Sequence, residues 1–346
     1  MIQKAATIHD VARSANVSTA TVSRVLTHPE RVAEPTRTMV RDAIRRTGYR
    51  VNQAARNLRL QRANAVLVLV PNLGKPFYSE ILAGISEGFS GSDYAVLILD
   101  TERNPVTERT LADNFLNNRI DGAIVLDGGL PRAALTACRA MGAQTRVVFL
   151  CEWVEGERFP VLASDNADGA RQAVRHLNAL GHTKIAHITG PEGNVLTAAR
   201  REGMVTERTR LSCAARADWI LRGDFSLKSG HEAAQKILAM DERPTAVFCS
   251  ADMVAFGLIA GLHAGGLRVP DDISVIGFDD IEMSEFYVPA LTTIRQDRLR
   301  LGRRAATLLR AALENGTAPG DEPPVPVELV VRASTAPPNT RSPRHG

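Results

Sequence analysis

Four side chains of complementary chemistry sit at helical spacing near the start of the chain. In STATVSRVL, Ser18 to Leu26, the residues Thr19, Ala20, Ser23 and Arg24 fall on one side of a helix, and Val22 and Leu26 on the other. A short hydroxyl and a methyl suit base edges and the thymine methyl, and a guanidinium can grip guanine O6 and N7 as a fork, a contact worth about 1–3 kcal/mol of discrimination. Base reading of this kind needs the N-terminal end of a helix in the major groove, carried by a second helix across a tight turn. The flanking residues supply that pair. Ile8, Val11, Ala12 and Ala15 recur at i, i+3, i+4 and i+7, Thr7 and Asp10 have the spacing of a capping box, and Asn16 tolerates the left-handed turn. Ser18 then caps the second helix. A third helix from about Pro35 to Thr47 closes the core with Met39, Val40, Ala43 and Ile44, and Gly48 ends it. Thr7, Ser18 and Thr21 complete the candidate DNA-contacting set of this segment. An ordinary helical hairpin with solvated polar faces is the plainer alternative, but turn, caps, spacing and charge agree on a reader.

Charge supports the same partner. Residues 1–62 hold 12 Lys/Arg against 4 Asp/Glu, a net of +8, and the remainder holds 30 against 34, a net of −4. A basic head on a mildly acidic body fits a nucleic-acid module joined to a larger one. The length, 346 residues with 44% apolar residues, implies two to three packed domains. The four cysteines, Cys138, Cys151, Cys213 and Cys249, form no Cys-x-x-Cys pair, which leaves buried thiols in a reducing compartment and no metal or cofactor site. MIQKAATIHD has no apolar signal region, and the longest apolar run, Ala65 to Val70, is too short to span a bilayer. A cytoplasmic protein is the expectation. There is no P-loop, G-x-G-x-x-G or H-E-x-x-H motif to suggest an enzyme.

Past the third helix, Tyr49 to Arg62 reads YRVNQAARNLRLQR, a second short basic helix. With STATVSRVL this resembles the LacI family of transcription regulators, and the resemblance runs along nearly the whole chain, nearest the cytidine-repressor and sugar-repressor groups. It implies that Thr19, Ala20 and Arg24 read an operator half-site. It also implies that Asn52, Ala55, Leu58 and Arg59 form the family's hinge helix, whose leucine wedges into the minor groove. The physics agrees: paired apolar wedges can unstack a base step, and Arg56, Arg59 and Arg62 lie near for phosphates. So short a helix is marginal alone, which makes DNA binding conditional. Leu58 as a core leucine of a linker is the alternative.

From Val66 short apolar runs alternate with helical stretches: AVLVLV, YAVLIL, GAIVLD, RVVFL, KIAHIT, TAVFCS and ISVIGF. Seven such strands imply an α/β body with parallel sheets, whose ligands bind beyond the carboxyl ends of the strands. Asp127 follows the third strand, and Glu152 and Trp153 the fourth. The resemblance implies a two-lobed, periplasmic-binding-protein-like body. In it Phe77 and Tyr78 stand near the effector cleft, Arg200 matches the effector-binding arginine, and Phe225 an aromatic on the ligand. Asp279 matches a carboxylate for ligand hydroxyls, and Gln296 lies in a crossing strand that lines the cleft. Read without it, the aromatics serve equally as core, Asp279 as a helix cap, and Arg200 as a surface charge. The expected divisions are a reader at 1–47, a hinge at 48–62, a first lobe of 63–163 and 294–324, a second lobe of 164–293 and 325–334, and a disordered tail at 335–346.

Two departures stand out. Gly203 to Ala217, GMVTERTRLSCAARA, should continue an amphipathic helix but carries a weak apolar stripe with Thr206 to Arg210 all polar, and a compensated frameshift is one origin to test. The tail TAPPNTRSPRHG has no leucine heptad, so the expectation is a homodimer. Together these readings imply a dimeric repressor of a pseudo-palindromic operator, switched by a sugar, sugar phosphate or nucleoside. A solute-binding protein of a transport system is the alternative.

Overall fold

The computed structural model describes residues 6–49, 62–316, 320 and 322–339. The chain divides into two units, residues 1–63 and 64–346.

The first unit is a small helical domain: α1 (Ile8–Ser14), α2 (Thr19–Thr27) and α3 (Glu34–Thr47). Val11, Ala12, Ala15, Val22, Val25, Val40 and Ala43 make its core. Two expected core residues are not in it: Leu26 is 37% exposed and Met39 is 48% exposed. α2 meets the core along its i, i+3 row, which takes Val25 inward and leaves Leu26 turned away by about 100°. On α3 the same rotation puts Val40 in and Met39 out. Asn16 (φ 50°) and Gly48 (φ 64°) take the left-handed conformation where the first and third helices end.

The second unit holds, among the described residues, two sheets. The first is ordered β2-β1-β3-β4-β5 and wholly parallel, from β1 (Ala65–Val70), β2 (Ala95–Asp100), β3 (Gly122–Val125), β4 (Val147–Leu150) and β5 (Val161–Leu162). The second is ordered β11-β10-β9-β8-β6-β7, from β6 (Ile185–Ile188), β7 (Ile220–Leu221), β8 (Ala246–Cys249), β9 (Ser274–Asp279), β10 (Thr292–Arg295) and β11 (Glu328–Val330). Its last strand alone is antiparallel to its neighbour. Buried on both faces, β1, β3, β4, β6, β8 and β9 are near-continuous apolar runs, as parallel strands between helical layers must be. The helices are α4 (Phe77–Phe89), α5 (Thr110–Leu116), α6 (Arg132–Ala140), α7 (Asn166–Ala179), α8 (Val195–Arg210), α9 (Leu227–Leu238), α10 (Asp252–Ala264), α11 (Met283–Phe286) and α12 (Arg298–Asn315).

The chain crosses between sheets three times: after β5, after β10 into α12, and before β11. α12 packs on α4 of the first lobe, where Gly84 and Gly302 let the two backbones touch: a Cβ on either would strike a carbonyl of the other helix. Two expected boundaries need correction. Ile294 and Arg295 pair with Phe278 and Asp279 inside the second sheet, so the return crossing begins after Arg295, not at 294. Thr335 and Ala336 are not a loose tail: His176 Nε2 lies 2.9 Å from Thr335 Oγ1, and His182 Nε2 lies 2.8 Å from the Ala336 carbonyl. Residues 340–346 lie outside the described residues.

The atypical stretch after Gly203 is helical through Arg210, with Gly203 against the Ala167 carbonyl and Met204 buried. Its next inward positions are charged. Glu207 is held by Arg210 at 2.6 Å. Arg208 is 7% exposed, and its Nε and Nη1 have no hydrogen-bond partner. After a turn through Ser212 (φ 54°) the chain buries Trp219 and enters β7.

Candidate DNA-reading face and effector cleft

The outer face of α2 is held by its caps. The Thr21 N–H donates to Ser18 Oγ (3.1 Å), and the Thr7 N–H and hydroxyl donate to Asp10 Oδ2 (2.9 and 2.7 Å). Thr7, Ser18 and Thr21 therefore fix the ends of the two helices. Ala20 and Arg24 are exposed and Thr19 and Ser23 half-buried beside them. They line a concave groove of about 460 Å³ with Ile8, His9, Thr27 and His28, four residues absent from the sequence-derived set. The surface is small at its N-terminal end and cationic one turn on, the arrangement that close approach and a guanine fork require. Asn52, Ala55, Arg56, Leu58 and Arg59 lie outside the described residues.

In the second unit, loops at the carboxyl ends of β1, β4, β6, β7, β8 and β9 converge on a cavity of about 50 Å³. It is lined by Lys75, Phe77, Tyr78, Glu152, Leu196, Arg200, Phe225, Ala251, Met253, Asp279 and Ile281. Arg200 is its centre. The side chain is 2% exposed, donates from Nε to Asn166 Oδ1 (2.9 Å) and from Nη1 to the Ser250 carbonyl, and lies 3.8 Å over the Phe278 ring. Its Nη2 stands 3.8 Å from Asp279 Oδ1, which also accepts from Gln296 Nε2 at 2.8 Å.

Burial governs the ionisation here. It raises Asp279 to about 6 against the opposing pull of Arg200 and Arg298, and raises Asp252, behind the cavity, to about 7 with Asp279's charge adding to the effect. It likewise raises Glu152, which accepts from the Gly128 N–H at 3.2 Å, and it pushes the Tyr78 phenol well above its usual range. Asp252 is locked by three donors: the Ile281 N–H, the Ser284 hydroxyl and the Thr293 hydroxyl.

The backbone is strained around this cavity. Cys151 (φ 68°), Phe225 (φ 63°), Asp279 (φ 121°) and Asp280 (φ 55°) all carry positive φ without being glycine. Such outliers cluster at ligand clamps, where the surroundings over-determine the conformation. Gly190 has no Cβ for a reason as plain: one would run into the Phe225 ring.

Comparison with known proteins decides the identity. Residues 7–52 match the model of bacterial regulatory proteins of the lacI family, and residues 174–335 match a periplasmic binding protein-like domain. The transcriptional repressor CytR of Escherichia coli is 36% identical over 96% of this chain and 97% of its own length. The chain belongs to the lacI family. The repressor PurR of Haemophilus influenzae is 32% identical over 95% of this chain and 98% of its own. Among solved structures, the Lac repressor dimer bound to operator and an anti-inducer is similar with a TM-score of 0.83 and 30% identity, covering 96% of this chain and 100% of that one. The regulator CelR in complex with cellobiose follows at 0.73 and 26%, covering 95% and 99%. This lacI-family member is thus a DNA-binding transcriptional repressor and not an enzyme. Among the described residues no helix is long and apolar enough to cross a membrane, and no group of side chains is placed to hold a metal ion.

Of the nine residues expected around an effector, Phe77, Tyr78, Glu152, Arg200, Phe225 and Asp279 line the cavity. Three stand elsewhere. Asp127 accepts from the Thr101 hydroxyl (2.5 Å) and the Gly129 N–H (2.7 Å), bracing loops. Gln296 lies behind Asp279. Trp153 lines a separate hollow of about 530 Å³ with Asn194, Thr197 and Arg222. Sequence reasoning missed Lys75, Ala251 and Ile281, which lie in loops after strands, and Leu196 and Met253, which lie in the first turns of α8 and α10. It also missed Asp252, a carboxylate at the first residue of an otherwise apolar helix.

Proposed function

We propose that this lacI-family repressor reads a pseudo-palindromic operator as a homodimer in the cytoplasm. Thr19, Ala20, Ser23 and Arg24 face base edges, Thr7, Ser18 and Thr21 hold the reading helix in place, and Asn52, Ala55, Arg56, Leu58 and Arg59 form the hinge at the operator centre. The effector occupies the cleft around Arg200, between Phe77, Tyr78 and Phe225 on its apolar sides and Glu152 and Asp279 on its polar ones. This combination suits an uncharged hydroxylated ring compound, a sugar or nucleoside: ring faces meet aromatics, hydroxyls meet carboxylates. A sugar phosphate fits less well. Two of the nitrogens of Arg200 already serve Asn166 and Ser250, and two carboxylates confront the incoming anion.

The observation that carries this reading is Arg200, buried yet ending beside Asp279 at the cavity wall, a charge kept out of water where strand ends converge. The cavity of about 50 Å³ is smaller than the roughly 300–1,000 Å³ of ordinary ligand sites. The two lobes therefore part to admit the effector and close on it, and an effector favouring one arrangement shifts its population. β1 runs from the start of this unit to the loop bearing Lys75 and on into Phe77 and Tyr78 at the start of α4, a direct covalent route from cleft to hinge. A thermal-shift screen of nucleosides, sugars and sugar phosphates tests the reading: a neutral member should raise the melting temperature of the wild type and not of Arg200→Met. A response only to phosphorylated compounds would overturn the ligand class. Removal of residues 1–62 should abolish duplex binding and leave the effector response intact.

A further inference from the structure

Two histidines frame the reading groove. His9 is exposed in the first turn of α1, His28 is exposed where α2 ends, and both line the groove that holds Thr19, Ala20, Ser23 and Arg24. When such a helix enters the major groove, its partner helix crosses the sugar–phosphate backbone. Residues on the rim then face phosphates while those on the floor face bases. An imidazolium presents two N–H donors and a positive charge to a phosphate, whereas a neutral imidazole presents one donor and no charge.

We propose that His9 and His28 are phosphate-contacting residues of the DNA interface and that they bind in the protonated form. The inference rests on α2 being the reading helix.

The charges around them shape the effect. Asp10 and Arg13 share α1 with His9, Arg24 comes from α2, and Glu34, Arg37, Arg41, Asp42, Arg45 and Arg46 belong to α3. The turn after α2 brings Glu30, whose Oε1 lies 3.5 Å from His28 Nδ1, and Arg31, which also pairs with Glu30. Asp42 and Glu34 are matched within α3 by Arg45 and Arg37.

The sign follows. A group that is protonated more fully in the complex than in the free protein makes binding tighter as pH falls, by up to about tenfold per pH unit for each proton taken up. Each added positive charge against phosphate also steepens the dependence of log affinity on log salt by about 0.9.

The test uses the full chain and a short duplex that it selects from a random-sequence library. Affinity is measured by fluorescence anisotropy at pH 8 and pH 6 over a salt series. The wild type should bind at least about tenfold more tightly at pH 6, with a steeper salt slope. His9→Gln and His28→Gln should each remove part of that gain, and the double variant most of it. His9→Arg should restore tight binding at pH 8 and flatten the profile, which a merely structural role would not produce. Both positions are exposed, and unchanged melting curves would confirm that the variants fold. Equal wild-type affinities at the two pH values, or an undiminished pH response in the double glutamine variant, would overturn the proposal. Failure to select any duplex would instead refute α2 as the reader.

Discussion

Replacing Arg200 with methionine should cost the body about 3–5 kcal/mol, the range found when one partner of a buried charged pair is removed. The structure shows why the figure is large. The two donated hydrogen bonds, to Asn166 and Ser250, come from a charged group and contribute about 1.5–3 kcal/mol each. Methionine also removes the guanidinium whose carbon lies 3.8 Å from the centre of the Phe278 ring, so that cation–π contact is lost as well. What remains is Asp279 in a buried site with Gln296 as its one close donor. At about 2–4 °C per kcal/mol for a unit of this size, the melting temperature should fall by roughly 6–20 °C. Urea unfolding followed by tryptophan fluorescence measures the loss, because Trp219 is fully buried and reports on the second lobe. Neutralising the stranded carboxylate should recover part of the loss, making Arg200→Met with Asp279→Asn more stable than Arg200→Met alone. A loss under about 1 kcal/mol, or strict additivity of the two changes, would refute the coupling of these residues.

Three other outcomes follow from the same physics. Arg208→Leu should stabilise the body by about 1–2 kcal/mol, since it removes two unpartnered buried donors from α8, and an equal or lower urea midpoint would contradict this. Asp279, raised to about 6, and Asp252, raised to about 7, bind protons in the folded state that the unfolded chain has released, so body stability should fall as pH rises from about 4 to 7. Urea midpoints across that window check the sign, and Asp279→Asn should flatten the slope. Ser18→Ala should lower the stability of the helical head by about 1 kcal/mol through loss of the cap on Thr21, read by calorimetry of the head transition.

The head was legible because its local signals reinforce one another: Thr7, Asp10, Asn16, Ser18 and Gly48 each stop or start a helix by side-chain or backbone chemistry of their own. Leu26 and Met39 were misplaced because helical spacing alone does not separate i+3 from i+4; tertiary contact chooses. In the body, strands of four to six apolar residues stood out, whereas β5 and β7, two residues each, carry no periodicity to find. Glu152 was legible because it directly follows a strand, whereas Arg200 and Asp279 were expected only from the family resemblance, since by themselves they read equally as a surface charge and a helix cap. Met253 and Ile281 look like any core residue, and only the convergence of strand ends and helix starts places them on the cavity wall. Thr335 and Ala336 escaped notice because their partners, His176 and His182, stand more than 150 residues earlier in the sequence.

The contact between Gly84 and Gly302 also sets a timetable for synthesis. Ile81 and Ile85, fully buried beneath α12, are translated about 220 residues before the helix that covers them. At about 5–20 residues per second, that flank stays bare for roughly 10–40 s on the ribosome. The second sheet waits as well, since β11 is made after α12. Neither lobe is complete until the chain is nearly finished, so both mature together after the head has left the ribosome. A product released early carries a finished reader on an unfinished body, with an open apolar flank that marks it for chaperones and proteases.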